Sequence, residues 1–390
     1  MGNLILDEGS VFVEKEATEG TYVPETSGEK AIEVLSDGVS FSPSKELIER
    51  DNRTSTVETV PGRVGQKSMA GEIKVEYKAG AVEGDLPEAT DLYEALLGGK
   101  DELVEVTSLT GHTNQIIYLD SADIGQYKVG HIVKVKDTVE HVSPIKAIDT
   151  VNNALELLIP ADNAFSDNVV IAKSVQYYHK SGQPTLSLTN YIGGKIREKA
   201  IGMRPTKGEL SDFSTGKLPV FNFSLEGVNF DREVGQPLFS PEYDSLNGAL
   251  PPIVLCAKVY KNSDELEVNN VGISLENTLG FKTSTASCSG KTGSRITKFN
   301  ASFTLDPYMS DSDTENFNLF VNNEAFSIFG SAFNGDDTNA GAKNQVVAFY
   351  LPNCRIPEIS TADQEGIVTE QINGTAHKSQ GNDTIFLAFI

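Results

Sequence analysis

The chain is poor in the residues that most often carry chemistry. Its 390 residues include no tryptophan, five histidines and three cysteines. Cys256, Cys288 and Cys354 are odd in number and far apart, which fits neither a disulfide framework nor a zinc motif. Reduced thiols are therefore expected. Positive charge is also scarce: 32 Lys+Arg stand against 55 Asp+Glu, a formal net charge of −23. A surface of that sign repels phosphate, which argues against a protein that grips nucleic acid or an anionic membrane. The densest basic stretch, Lys195 to Lys199, carries a Glu of its own and no interleaved aromatics. No apolar run approaches the ~20 residues of a membrane helix. The acidic, Gly/Thr-rich first 30 residues lack the basic start and apolar middle of a signal peptide.

Motifs for catalysis and cofactors are missing too. There is no Gly-x-Ser-x-Gly, no His-Glu-x-x-His and no Gly-x-Gly-x-x-Gly. Gly290-Lys291-Thr292 resembles the end of a phosphate loop, but Thr285 stands where the first Gly is needed. Asp311-Ser312-Asp313-Thr314-Glu315 alternates carboxylates as a calcium loop does, yet Asn316 replaces the turn Gly. An acidic helix start is the simpler reading. His112, His131, His141 and His179 are spaced by 19, 10 and 38 residues, too far apart for a zinc site read from sequence. No cofactor, metal or catalytic residue is expected.

What the chain does have is β-patterning. Glu72-Ile73-Lys74-Val75-Glu76-Tyr77-Lys78 puts three apolar residues on one side and four charges on the other. Val220–Leu225 and Phe299–Leu305 alternate in the same way, while Ile385–Ile390 is apolar throughout. Two helices are expected. One spans Pro87–Leu97, with Leu92, Ala95 and Leu96 as its stripe and Gly98-Gly99 as its stop. The other runs from about Asp313 to Phe329, with Phe317, Phe320 and Phe326 as its stripe and Asn322-Asn323 as a candidate break.

The order of elements is said twice. Strand, strand, long polar segment, strand, helix and further strands run from Val11 to Leu225, then again from Val254 to Ile372. Three small echoes accompany it. Gly38-Val39-Ser40-Phe41 answers Gly272-Ile273-Ser274-Leu275, Met203-Arg204-Pro205 answers Cys354-Arg355-Ile356-Pro357, and Gly227 answers Gly374. The expected domains are 1–100 with 180–230, an inserted β subdomain at 101–179, a linker at 231–250, and 251–390.

These segments resemble the tail tube proteins of long-tailed bacteriophages. Gly38–Phe41 leads into a polar arm, Ser42–Met69. Ala70–Tyr77 is similar to the family's strand before its helix, Leu92, Leu96 and Leu97 mark that helix, and Asp363–Val368 resembles the closing turn and strand. The resemblance implies a mainly β fold: two tandem tail-tube-type β-sandwich domains, each with a flanking helix, plus the small inserted subdomain. It implies a structural virion protein whose domains join inner sheets around a lumen, in rings that stack into a tube for genome passage. With two domains per chain, trimeric pseudo-sixfold rings are expected, hexamers being the alternative. Other tail proteins (tape measure, terminator, distal tail) are the implied partners, and double-stranded DNA passes without specific binding.

Alternation then nominates residues. Glu72, Lys74, Glu76, Asn222, Ser224, Glu226, Ser302, Thr304 and Asp306 are lumen-lining candidates; the other place for that polar face is the exterior. The arms Ser42–Met69 and Glu276–Thr297 supply ring-stacking candidates: Glu49, Arg50, Asp51, Arg53, Lys282, Lys291 and Arg295. Competing readings are a tail terminator or baseplate ring of related fold, and an adhesive carbohydrate-binding β protein with the insert as binding module, whose aromatics Tyr177 and Tyr178 form no cluster that reads as a sugar platform. An acidic hydrolase has only the abundance of carboxylates behind it.

Overall fold

The computed structural model describes residues 9–50, 60–255, 257–309, 314–334 and 345–390. The fold is mainly β, with two short α-helices among the described residues. Asp51, Arg53, Cys256, Asp311 and Asp313 lie outside them.

One antiparallel ladder dominates. Its strands run in the order Val39–Arg50, Val60–Glu76, Val220–Gly227, Ile196–Ser214, Val268–Thr283, Lys291–Pro307, Ile367–Ala376 and Gln345–Gln364. The first four precede residue 235 and the last four follow residue 258. The two blocks meet where Lys207–Ser214 pairs with Asn270–Glu276.

Pairing inside the blocks is parallel in detail. Val39 faces Ile73, and Ile73 faces Phe223. Ile273 faces Phe303, and Phe303 faces Gly374. The first sequence echo is thus in register and the other two are not. Gly374 matches Phe223, whereas Gly227 pairs with Met69. Each glycine is small for its own reason: the Phe303 ring fills the space a Cβ would need at 374, and Met203 fills it at 227. Arg355 faces Thr375 as Lys207 faces Ser224, so its counterpart is Lys207 and not Arg204.

The ladder's apolar face, including Ile73, Val75, Phe221, Phe223, Ile273, Leu275, Phe303 and Leu305, enters one continuous core. The opposing layer supplies Val11, Val13, Leu186 and Leu188 on one side and Ile328, Val347, Phe349 and Leu351 on the other. Two strands belong to both layers. Ile196–Ser214 pairs first with Leu186–Ile192 and then with Val220–Gly227. Gln345–Gln364 pairs first with Phe326–Asn334 and then with Ile367–Ala376. Each breaks register at the crossing, at Pro205/Lys207 and at Arg355/Glu358. Such bulges are how a strand turns a corner between sheets.

Helix α1, Thr90–Leu97, buries Leu92, Tyr93, Ala95, Leu96 and Leu97 and ends on Gly98 at φ 88°. A left-handed residue there suits glycine, which carries no Cβ penalty. Helix α2, Glu315–Asn322, is shorter than expected and ends on left-handed Asn323. Its buried residues are Asn316 and Leu319; Phe317 is exposed and Phe326 already belongs to the next strand. The expected Phe stripe fails because the helix stops before Phe326.

Phe386–Phe389 explains its own composition. It lies between Ser174–His179 and Gln345–Gln364. Leu387 and Phe389 face the main core, and Phe386 and Ala388 face a second cluster. A strand covered on both faces has no polar side to show.

The inserted segment is tighter than 101–179. Gly98–Leu103 and Ser174–His179 pair with each other inside the large assembly of strands. The small six-stranded sheet is confined to strands between Val106 and Ile171, with its own core around Ile117, Val133, Ile145 and Leu155. The expected linker 231–250 starts inside a strand, Asn229–Val234, paired with Ile196–Ile201.

Candidate functional site

The site is a surface: the polar face of the eight-stranded ladder and the two arms at its end. Directly opposed residues of an antiparallel pair share a face. One rung reads Lys74, Asn222, Glu209, Ser274, Ser302, Thr375. The next reads Ser40, Glu72, Ser224, Lys207, Glu276, Asn300. All six of the candidates Glu72, Lys74, Asn222, Ser224, Ser302 and Thr304 lie on this face with at least partial exposure. Glu226 is exposed at its margin, opposite Ala70.

Two candidates differ from the rest. Glu76 sits at the strand end, 3.9 Å from the Lys78 ammonium. Burial raises its pKa, Lys78 pulls it back, and the charge of Glu33 raises it further. Asp306 is half-buried, which likewise raises its carboxyl. Both are strand-end acids partly withdrawn from the open face.

Sequence reasoning missed Lys207, Glu209, Glu276, Thr375, Arg355 and Glu358, which complete the same face. The strands of Lys207, Glu209, Arg355 and Glu358 are long and bulged, so a two-residue period is broken in mid-run. Side chains link along the face: Asn222 Nδ2 donates to Glu72 Oε1 at 2.9 Å, and Lys207 Nζ donates to Glu209 Oε2 at 2.6 Å.

The arms are hairpins, not loops. The first is built from the outer parts of Val39–Arg50 and Val60–Glu76, the second from Val268–Thr283 and Lys291–Pro307. Residues 42–50 are exposed on both faces, so no alternation marks them as strand. Glu49, Arg50 and Lys282 are exposed on the arms. Lys291 Nζ lies 4.0 Å from the Phe281 ring centroid. Arg295 is engaged within its own chain, 2.7 Å from Glu19 Oε2. The tip of the second arm rests on the first, where the Lys67 N–H donates to the Ser289 carbonyl at 3.0 Å.

The ladder has two open edges. One is Val39–Arg50 and the other is the outer half of Gln345–Gln364, which no strand flanks among the described residues. Val39, Phe41 and Ile359 there are only partly buried against the core. Their counterparts at the internal junction, Ile273, Leu275 and Leu210, are 2%, 0% and 1% exposed.

Among the described residues no group of three metal-ligating side chains converges, and no helix is long and apolar enough to cross a membrane. The insert's histidines serve local contacts: His112 bonds Ser108, His141 bonds the Ile159 carbonyl, and His131 lies 3.1 Å from Asp101.

No curated protein matches the chain. A family model does, described as phage tail tube protein, and it aligns with residues 7–376. That span takes in both four-stranded blocks, both arms and the insert, so the chain belongs to the phage tail tube protein family.

Proposed function

We propose that this structural protein of the phage tail forms rings of three copies that stack into the tail tube. The observation that carries the reading is the junction of Lys207–Ser214 with Asn270–Glu276. It joins two matching four-stranded blocks within one chain and leaves, at the far ends, two open edges of the same kinds. The edge of one copy is the partner for the opposite edge of the next. Such a head-to-tail contact gives a ring when its rotation closes.

Three chains of eight strands make a wall of ~24 strands. At ~4.8 Å spacing and a tilt of ~40°, the backbone diameter is ~48 Å, and side chains leave roughly 38 Å free. A DNA duplex, on the order of 20 Å across from its groove depths, passes through such a lumen with a water layer. The polar face of the ladder is the lumen wall in this reading. Glu209, Glu276 and Glu358 join Glu72 and Glu226 there, against Lys74, Lys207 and Arg355. An acid-rich wall repels phosphate and lets DNA slide during genome ejection. The arms reach the adjacent ring. Assembly in the host cytoplasm of a long-tailed phage follows from this role.

Electron microscopy of the purified protein, with mass photometry, tests the reading. Hollow tubes or rings containing multiples of three chains are expected. Rings of six chains overturn the trimer, and capped single rings that never stack favour a terminator.

A further inference from the structure

Three buried polar side chains from three different elements meet behind the second arm. Lys261 ends the strand Lys258–Lys261, Asn316 is the second residue of α2, and Glu370 lies in Ile367–Ala376. Their exposures are 4%, 2% and 7%. Lys261 Nζ is 2.8 Å from Asn316 Oδ1, and Asn316 Nδ2 donates to Glu370 Oε2 at 2.8 Å. A carbonyl bond is ~1.2 Å long, so the amine lies within about 4 Å of the carboxamide carbon. A nucleophile, an electrophilic carbonyl and a carboxylate on the leaving nitrogen are thus held together out of bulk water.

The first half of the chain supplies a comparison. Lys15 ends the strand Ser10–Lys15, and Asp91 is the second residue of α1. They form an ion pair at 3.1 Å, with Lys30 also 2.8 Å from Asp91. The position matching Glu370 is Pro219, since Phe221 faces Val75 as Ile372 faces Leu305. One half therefore has a charge cluster, with Lys15 also 2.7 Å from Glu94 Oε2, and no acid at the strand position matching Glu370. The other half replaces the carboxylate by a carboxamide and adds a buried acid on its nitrogen. An ion pair needs no such change to be stable.

We infer that Lys261 and Asn316 join in an intramolecular isopeptide bond, formed by the chain itself with Glu370 as the catalytic residue. The Lys261 ammonium passes a proton to Glu315, whose Oε1 is 3.2 Å away and whose side chain reaches solvent. The free amine attacks Asn316 Cγ. Both nitrogens then hang from one carbon, and Glu370 takes a proton from the attacking nitrogen and gives it to Nδ2. The Cγ–Nδ2 bond breaks and ammonia leaves. One amide replaces another, with no oxidant or cofactor required. The bond closes a loop that contains the whole second arm, Val268–Pro307. It fastens the root of that arm covalently to the body.

Mass spectrometry of the denatured full chain tests this. Loss of ammonia lowers the mass by about 17 Da, and a protease digest yields one branched peptide carrying both Lys261 and Asn316. Glu370→Gln keeps the shape and is expected to give separate peptides at full mass, with an unchanged circular dichroism spectrum. Lys261→Arg removes the nucleophile and serves as a second zero point. Unjoined Lys261 and Asn316 peptides at full yield, from folded wild-type protein held for days at 37 °C, overturn the inference. A branched peptide that persists in Glu370→Gln overturns the role given to Glu370.

Discussion

At the scale of single residues, the charged groups buried at the base of the insert set a pH limit. His131 is fully buried beside Asp101, with Lys128 also on that carboxylate and the Tyr178 hydroxyl bonded to it. Burial would raise Asp101, but the neighbouring His131 ring and Lys128 ammonium outweigh it and bring it down to about 2. Burial lowers the His131 pKa, and Asp101 only partly restores it. A histidine whose folded value lies below its unfolded one contributes stability above pH ~6.5, lost as the unfolded chain takes up the proton. Asp101 adds a second loss between about pH 4 and 2. Thermal melting is therefore expected to fall between pH 7 and 5, and the fall to shrink in His131→Gln. Equal slopes in the two proteins would remove His131 as the cause. None of this was legible in the sequence. His131 and Asp101 are 30 residues apart and carry no motif, and the same holds for Lys261, Asn316 and Glu370. Side chains that meet through tertiary pairing leave no local spacing to read.

At the scale of elements, alternation was a good guide where one face is covered. Glu72–Glu76 and Val220–Leu225 were legible because their apolar residues enter the core and their polar residues do not, whereas Lys78, expected on the polar side, is buried beyond the strand end. The guide failed at both extremes of burial. Residues 42–50, exposed on both faces, resemble loop, and Phe386–Phe389, covered on both, has no period. Helix α2 was overextended because aromatic residues of the following strand were counted into its stripe. The arms invite a direct test. Replacing the tip of the second arm, 284–290, by a two-residue Asn-Gly turn keeps the ladder below it. The variant is expected to fold and form rings, with tubes shortened to a few rings in micrographs. Tubes of normal length would take stacking away from this arm.

At the scale of the whole molecule, the proposed ring takes the junction inside the chain as the template for its joint between chains. Ser274 faces Glu209 across the internal junction. In that proposed joint, the register of the two blocks sets Ser40 of one copy opposite Glu358 of the next, and Val39 opposite Ile359. Ser40→Cys with Glu358→Cys, with the exposed Cys288 changed to Ser, is expected to form a covalent trimer on oxidation of assembled protein. Moving the second cysteine to 359 places it on the opposite face and abolishes the cross-link. Rings that assemble without cross-linking through 40 and 358 would mean another register. The repeat of element order was visible in the sequence, but not which strands join the halves. Nothing local marks Lys207–Ser214 as the partner of Asn270–Glu276.

The strands Ile196–Ser214 and Gln345–Gln364 cross from one layer to the other without a break in the chain. A wall made of separate plies yields when one ply slips over the next, because only dispersion forces resist shear between them. Here each block has a continuous fibre running through both plies, bent at Pro205/Lys207 and at Arg355/Glu358. Slip would have to strip a row of hydrogen bonds at once. In the proposed tube, outward pressure on the ladder would be carried as tension along backbone, and the wall would bend as one piece.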